Sequence, residues 1–144
     1  MSKSHLRYVV NNYIGYDIGK ISKIEINNRG AGGIVSNITV YGKNKQISIS
    51  NQINIRKALN PYGLGIKLND GDIRSNMSML PSSFFSIENI YRNGKWWGIK
   101  IYGGGFGHGC GMSQNGCKEL ALSGYNYEDI IEFFYKKTAI AVIG

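Results

Sequence analysis

The stretch ISKIEINNRGAGGIVSNITVYGKNKQISIS, residues 21–50, contains three short runs with a period of two. The alternating positions are Ile24 and Ile26, then Ile34, Ser36, Ile38 and Val40, then Ile47 and Ile49. A period of two is typical of half-buried strands, and the segments rich in Gly and Asn between the runs are typical of turns. The stretch therefore predicts three antiparallel strands in a meander.

A short helix and a loop are predicted directly after this meander. NQINIRKALNP, residues 51–61, has the apolar spacing of one helical face, with Asn51 as N-cap and Pro61 as the stop. The residues of that face are Ile55, Ala58 and Leu59. Clusters of Gly, Asn, Asp, Ser and Pro over residues 60–82 predict an extended loop.

The rest of the chain predicts a hairpin, two helices and a closing strand. SFFSIENIYRNGKWWGIKIYGGG, residues 83–105, carries Asn93-Gly94, which suits a type I′ turn. One helix is predicted before Gly124, and another is predicted to begin at Asn126. We predict a strand over residues 138–144. The fold class is therefore α+β: a twisted antiparallel sheet with hairpins and about three short helices, in a single domain.

Composition limits the function classes. The chain has 144 residues, within the usual range of one domain, and it contains no apolar run long enough for a membrane helix. Its start lacks the apolar region of a secretory signal, so we expect neither a signal nor an anchor here. The net charge of +8 predicts an anionic partner. Because the Lys and Arg residues are scattered, nucleic acid is disfavoured relative to anionic lipid or cell-wall polymers.

The segment GGGFGHGCGMSQNGC, residues 103–117, is the candidate functional site. From Gly105 to Met112, glycine alternates strictly with another residue. An extended backbone would place every non-glycine side chain on one face and leave the other face bare. One interpretation is a substrate groove that presents His108. The alternative is that the glycines only permit close packing against another strand.

The residue types of this segment bear on four kinds of chemistry: phosphate binding, zinc binding, nucleophilic catalysis and sugar binding. The lysine spacing after the glycines does not fit a phosphate-binding P-loop. His108, Cys110 and Cys117 are candidate zinc ligands, but the pattern lacks a C-x-x-C pair and a nearby carboxylate, so no cofactor is predicted and zinc stays an alternative. Ser113 fits the N-cap of the next helix better than a catalytic nucleophile. Gln114 can donate and accept hydrogen bonds, as sugar hydroxyls require.

GFGHGCGMSQNG and the following ELALSGYNYEDIIEFFYKKT resemble the signature of the stage II sporulation protein D family, which includes amidase-enhancer proteins. The matching positions are Gly105, Gly107, His108, Gly109, Gly111, Met112, Ser113, Gln114, Gly124, Tyr125, Tyr127, Ile131, Phe134, Tyr135 and Thr138. NIRKAL, residues 54–59, and DIRSNMSMLPSSFFSIE, residues 72–88, are similar to a second segment of the family. The resemblance runs from about residue 20 to the end of the chain. At Cys110 and Cys117 the family pattern has small apolar residues, which favours packing roles for both thiols.

The resemblance implies a sporulation lytic transglycosylase that acts on peptidoglycan glycan strands during engulfment, in a parent protein that faces the cell wall outside the cytoplasm. The family's catalytic glutamate lies in an upstream segment resembling E-Y-x-x-G-V-V-x-x-E-M, which this sequence lacks. We therefore expect residues 1–144 to be an N-terminally incomplete domain that is inactive alone, with no assigned catalytic acid and a supporting role for His108.

The substrate-binding residues implied by the resemblance are Gly107, His108, Gly109, Gly111, Ser113, Gln114, Arg56, Arg74 and Ser75. The expected partners are glycan strands and other cell-wall amidase or engulfment proteins. One alternative is a non-catalytic wall-binding or amidase-enhancer module. Another is a zinc-binding structural domain.

Overall fold

The computed structural model describes residues 1–141, and the chain divides into two compact units, Met1–His108 and Gly109–Gly144. The first unit contains α1 (Lys3–Ile14), β1 (Ile21–Arg29), β2 (Val35–Gly42), β3 (Gln46–Ser50), α2 (Gln52–Ala58), β4 (Ile66–Lys67), β5 (Ile73–Arg74), β6 (Phe85–Arg92) and β7 (Lys95–Gly103). The second unit contains α3 (Gln114–Leu122) and α4 (Tyr127–Phe134). This mixture of helices and antiparallel sheets confirms the predicted α+β class.

The meander predicted for residues 21–50 is confirmed. β1 pairs with β2 and β2 pairs with β3, both antiparallel, in the order β1-β2-β3. Val40 lies opposite Ile24 on one side and opposite Ile47 on the other. The apolar side chains of all three strands therefore meet on one face of the sheet, as the period of two requires.

One detail of the predicted alternation is wrong. The pairing of β1 with β2 is irregular on both sides of Asn28, and Val35 rather than Ile34 is buried. An irregular step in a ladder changes which side chains face the core. The side chains of Ile38 and Val40 therefore face the core as predicted, whereas nearer the turn Val35 faces the core in place of Ile34.

The hydrophobic core of the first unit joins this sheet to α1, α2 and the β6–β7 hairpin. Its fully buried side chains come from each of these elements and their connections: Leu6, Val10, Ile18, Val35, Ile38, Val40, Ile55, Ala58, Leu59 and Ile99. Burial of one such Leu, Ile or Val side chain contributes about 1.5–3 kcal/mol relative to exposure. The core thus lies in the first unit and supports both the meander and the segment before β6.

Helix α1 is missing from the sequence-based predictions, although its signals are present. The Ser2 hydroxyl accepts a hydrogen bond from the His5 amide at the start, and Gly15, with φ 82°, follows the end. The buried residues Leu6, Val9 and Val10 have helical spacing. These are an N-cap, a terminal glycine and an apolar stripe. The structure therefore contains four helices within residues 1–141 rather than about three.

The other local predictions in the first unit are confirmed. The Asn51 side chain caps α2 by accepting the Ile53 amide. Asn93 and Gly94 have φ values of 50° and 72°, as a type I′ turn between β6 and β7 requires. Residues 60–82 form a loop that contains one small antiparallel pairing, between β4 and β5.

The second unit is a pair of short helices with local caps at their ends. After α3, the Gly124 amide donates to the Ala121 carbonyl and the Tyr125 amide donates to the Leu120 carbonyl. This is a Schellman motif, and Gly124 has the left-handed conformation that it needs, with φ 90°.

Two further predictions concern helix α4 and the segment that follows it. The Asn126 side chain caps α4 by accepting the Asp129 amide, as predicted. The predicted closing strand is not present over residues 138–141, and its remaining residues, 142–144, lie outside the described part of the chain.

Candidate functional site

The glycine loop, residues 104–113, does not form the extended strand that its alternation allowed. β7 ends at Gly103, and the loop contains no strand residues. Every second residue has a positive φ, between 63° and 129°: Gly105, Gly107, Gly109 and Gly111. Side chains with a Cβ rarely adopt this conformation, so each glycine turns the chain. The common face expected for Phe106, His108, Cys110 and Met112 requires an extended backbone and is therefore wrong.

The first part of the glycine loop lies alongside the segment that precedes β6 and is hydrogen-bonded to it. The Gly104 amide donates to the Phe84 carbonyl over 3.0 Å, and the Gly107 amide donates to the Pro81 carbonyl over 2.9 Å. A Cβ added at Gly105 would lie 3.8 Å from the Ser82 hydroxyl. Two backbone hydrogen bonds therefore hold this half of the loop in place. His108, which follows directly, is exposed.

Arg56 fixes the segment against which the loop lies. Its Nε donates to the Leu80 carbonyl over 2.7 Å, and the Leu80 amide donates to the Arg56 carbonyl over 3.1 Å. This reciprocal pair joins α2 to the residue before Pro81. The observed contact positions this segment, and the substrate-binding role of Arg56 stays a prediction. Arg74 and Ser75 are exposed at the end of β5.

In the second unit, Tyr135 holds the far end of the glycine loop. Its hydroxyl accepts a hydrogen bond from the Met112 amide over 3.2 Å. The same oxygen is 3.0 Å from the position that a Cβ at Gly111 would take. A side chain at Gly111 would therefore crowd this contact. Tyr135 matches the family pattern, but the sequence assigned it no role, because its partner is 23 residues away.

Ser113 and Gln114 begin α3. The Ser113 hydroxyl accepts the Gly116 amide over 3.1 Å, which confirms the predicted N-cap. Gln114 is exposed as the first residue of the helix, and Cys110 is exposed while Cys117 is half-buried. Of the expected binding residues, Arg56, Arg74, Ser75, Gly107 and His108 belong to the first unit, and Gly109, Gly111, Ser113 and Gln114 belong to the second.

The described residues do not form a metal centre. Within residues 1–141, no group of three or more His, Cys, Asp or Glu side chains could hold a metal ion, and this range includes His108, Cys110 and Cys117. The zinc alternative therefore has no support from the geometry of these residues.

Three carboxylates lie in hydrogen bonds elsewhere in the first unit. Hydrogen bonds from Arg7, from the Gly19 amide and from Asn11 lower the pKa of Asp17. Hydrogen bonds from Lys23 and Tyr41 lower the pKa of Glu25. Glu88 accepts the Tyr102 hydroxyl over 2.7 Å. A general acid needs a raised pKa, so the shifts at Asp17 and Glu25 run in the opposite direction.

Comparison with known proteins covers parts of this chain. Residues 62–111, which include β4 to β7 and most of the glycine loop, match the family model of a domain of unknown function, DUF8618. Stage II sporulation protein D of Bacillus subtilis (strain 168) is 35% identical over 77 residues, 54% of this chain and 21% of that protein. The chain is related to stage II sporulation protein D over part of its length.

A second relative is the amidase enhancer of the same organism. It is 48% identical over 40 residues, which are 28% of this chain and 6% of that protein. The matches to stage II sporulation protein D and the amidase enhancer thus cover well under two thirds of either relative. No solved structure matches the chain. Among the described residues, no helix has the length and apolar character needed to cross a membrane.

Proposed function

We propose that this chain binds peptidoglycan glycan strands through its glycine loop, as part of a cell-wall protein of sporulation. The observation that supports this most is the loop itself, where four glycines with positive φ leave bare backbone on both sides of the exposed His108. Bare backbone amides and carbonyls bind sugar hydroxyls, which both donate and accept. Partial similarity to stage II sporulation protein D supports the choice of polymer.

The proposed contacts come from the loop and the start of α3. His108 and Gln114 are exposed, and their side chains supply polar groups to the sugar. Gly107, Gly109 and Gly111 supply backbone groups that hydrogen-bond to sugar hydroxyls. Arg74 and Ser75 are further candidate contacts. The charge of +8 raises the local concentration of an anionic polymer, and this contribution falls as salt is added. The protein would then work on the outer side of the membrane, against the wall.

Residues 1–144 are proposed to bind without cleaving. Cleavage of a glycosidic bond needs a carboxylic acid placed at the leaving oxygen. Asp17, Glu25 and Glu88 are engaged with Arg7, Lys23 and Tyr102, respectively, and none of the nine acidic residues lies in the sequence context of the family's catalytic glutamate. The protein should therefore retain glycan strands and release no anhydro-sugar product.

Sedimentation with purified sacculi freed of stem peptides tests this proposal. We expect the protein to sediment with sacculi at low salt, and His108→Ala to weaken binding by about three- to tenfold, the loss expected for one or two hydrogen bonds. His5→Ala is the matched control, because His5 lies in α1 and its ring is within 3.4 Å of the Asn60 carbonyl. Absence of retention at low salt, or equal binding by the two variants, would contradict the proposal.

A non-catalytic role in support of a wall amidase is the second candidate. It is favoured by the 48% identity to the amidase enhancer. Addition of the protein to a cell-wall amidase acting on intact sacculi should then raise the rate of stem-peptide release. The same rate with and without the protein would remove this candidate while leaving glycan binding untouched.

A further inference from the structure

A groove of about 400 Å³ lies in the first unit, along the outer edge of β3. It is lined by the end of α1, by β3 and by the first turns of α2: Tyr13, Ile14, Tyr16, Lys45, Gln46, Ile47, Ser48, Ile49, Ser50 and Asn54. None of these residues belongs to the glycine loop. The sheet order β1-β2-β3 makes β3 an edge strand.

The hydrogen-bond phase of the β2–β3 ladder shows which backbone groups face the groove. The Gly42 amide donates to the Lys45 carbonyl at one end, and the Asn51 amide donates to the Ser36 carbonyl at the other. Hydrogen-bonded pairs alternate along an antiparallel ladder, so Ile47 and Ile49 bond to β2. The amides and carbonyls of the intervening residues, Gln46 and Ser48, therefore point outward along the groove.

The two ends of this edge are not equivalent. At the α2 end, the Asn54 side chain donates to the Ser50 carbonyl over 3.1 Å and occupies that acceptor. At the other end, the Lys45 ammonium lies 5.2 Å from the centre of the Tyr16 ring. Among the described residues that line the groove, Lys45 is a cation and no side chain is acidic. The backbone groups available for pairing are therefore those of Ser48 and Gln46, and the Lys45 ammonium lies beside them.

We propose that the groove along β3 binds an extended acidic peptide of a partner protein, which adds a fourth strand to the meander. Main-chain hydrogen bonds to Gln46 and Ser48 supply the pairing, as in other cases of strand addition. Lys45 pairs with a carboxylate of the peptide, and Tyr13 and Ile14, which also line the groove, contact its apolar side chains. This role is separate from glycan binding by the glycine loop.

Two features favour an acidic peptide over other occupants. The β3 edge of a second copy, Gln46–Ser50, carries no acidic side chain for Lys45, and a second copy also carries a net charge of +8. A sugar ring stacks on an exposed aromatic face, whereas the Tyr16 ring already has the Lys45 ammonium over it. An extended acidic peptide uses the outward backbone groups of Gln46 and Ser48, which a sugar does not explain, and it supplies the carboxylate for Lys45 that a second copy lacks.

Fluorescence anisotropy with a short fluorescein-labelled peptide of alternating Val and Glu tests this proposal on the full chain. We expect saturable binding of this peptide and no binding of the same peptide with every backbone amide methylated, because methylation removes the strand donors while keeping the charge. Equal binding of both peptides would show that charge alone attracts them and would overturn strand addition. No binding of the unmodified peptide would also overturn it.

Variants of β3 make the test specific. Ser48→Pro removes an outward donor and leaves the bonds to β2, so it should lower peptide affinity more than about tenfold while the Tm stays near that of the native protein. Lys45→Glu should lower affinity by about two- to fivefold, and Lys95→Glu, with the same charge change at the exposed hairpin turn, should not. If Ser48→Pro unfolds the protein, the comparison of Lys45→Glu with Lys95→Glu and the methylated peptide still test whether the peptide binds at β3.

Two results would assign the edge differently. Unchanged peptide binding by Ser48→Pro and Lys45→Glu would place the peptide elsewhere and overturn the proposal. A dimer seen by sedimentation, lost in Ser48→Pro, together with no peptide binding, would make a second copy the occupant. Loss of sacculus binding in His108→Ala would affect neither result, so the two proposals fail separately.

Discussion

The two units of this chain are stabilised in different ways. Met1–His108 has a contiguous core in which many side chains are fully buried. In Gly109–Gly144, none of the described residues, 109–141, is buried, and Leu122, Tyr127 and Phe133 are more than half exposed. The second unit has local caps at both helices instead. Burial therefore determines the first unit, whereas capping and backbone conformation determine the second.

This difference matters for the glycine loop, because the loop continues from one unit into the other. Isolated helices shorter than about 12–15 residues are marginal in water, since nucleation fixes several residues for one hydrogen bond. α3 has 9 residues and α4 has 8. The caps at Ser113 and Asn126 should therefore contribute a larger share of the stability of α3 and α4 than a cap contributes to a helix that packs on a core.

The largest expected effect on the free energy of unfolding comes from comparing the same substitution, Leu→Ala, in each of the two units. Leu6→Ala removes a fully buried side chain and should lower the free energy of unfolding by about 3–5 kcal/mol. Leu122→Ala removes a side chain that is 72% exposed and should change it by less than about 0.5 kcal/mol. Urea unfolding followed by tryptophan fluorescence measures this, because Trp96 and Trp97 both lie in the first unit. Equal effects of the two variants would contradict the contrast in burial.

Much of the fold could be predicted from the sequence because its signals are local. The Asn93-Gly94 turn, the Asn51 and Asn126 caps and the apolar alternation of residues 21–50 each act within a few residues. Helix α1 has equally local signals, from the Ser2 cap to Gly15, so it too is predictable from the sequence. The irregular pairing beside Asn28 could not be predicted, since it depends on how two strands meet.

The candidate site was less predictable than the fold. Alternating glycines are compatible with an extended strand and with a series of turns, and the sign of φ at Gly105 to Gly111 decides between them. Two of the side-chain contacts around the glycine loop are long-range. Arg56 and Leu80 are 24 residues apart, and Met112 and Tyr135 are 23 residues apart. A single sequence carries no local signal for such pairs. Its residue types could therefore suggest a site but not its geometry.

The next effect compares two glycines that are required for different reasons. A Cβ at Gly42 would lie 2.2 Å from the Ile18 carbonyl oxygen, so Gly42→Ala must displace backbone and should lower the free energy of unfolding by about 1–3 kcal/mol. Gly124 has φ 90° with open space around it, and Gly124→Ala should cost about 1 kcal/mol through conformation alone. Urea titration with tryptophan fluorescence should detect the first change and not the second.

Amide exchange over residues 114–124 follows the Gly124 variant. Faster exchange there, with unchanged exchange in β2, is the expected result. Slower exchange in Gly124→Ala would show that its positive φ is not needed to end α3.

A smaller effect is expected at the two serine N-caps. Ser2→Ala and Ser113→Ala each remove a hydroxyl that accepts a backbone amide, from His5 and Gly116 respectively, and such a loss costs about 1 kcal/mol. In α1 this loss should lower the free energy of unfolding of the whole first unit. In α3 it should raise local amide exchange by about fivefold and leave tryptophan-detected unfolding unchanged. Loss of tryptophan-detected stability in Ser113→Ala would show that the two units unfold together.

The smallest effect concerns acid stability and the loop after α1. Because hydrogen bonds from Arg7, the Gly19 amide and Asn11 lower the folded pKa of Asp17, the unfolded chain binds more protons in acid. Stability from this carboxylate is complete above the ordinary Asp pKa of about 3.9 and is lost as the pH falls further. Asp17 is half exposed, so solvent and salt reduce the contribution.

Asp17→Asn should therefore weaken the acid dependence of tryptophan-detected unfolding between about pH 5 and about pH 2, most clearly at low salt. Asp72→Asn removes the same charge from the exposed loop before β5 and serves as the control. Helical signal from α3 and α4 should be the same in both variants, since Asp17 contacts only first-unit residues in the bonds that shift its pKa. An acid profile identical to that of the native protein would show that the Arg7–Asp17 pair adds nothing measurable to the first unit.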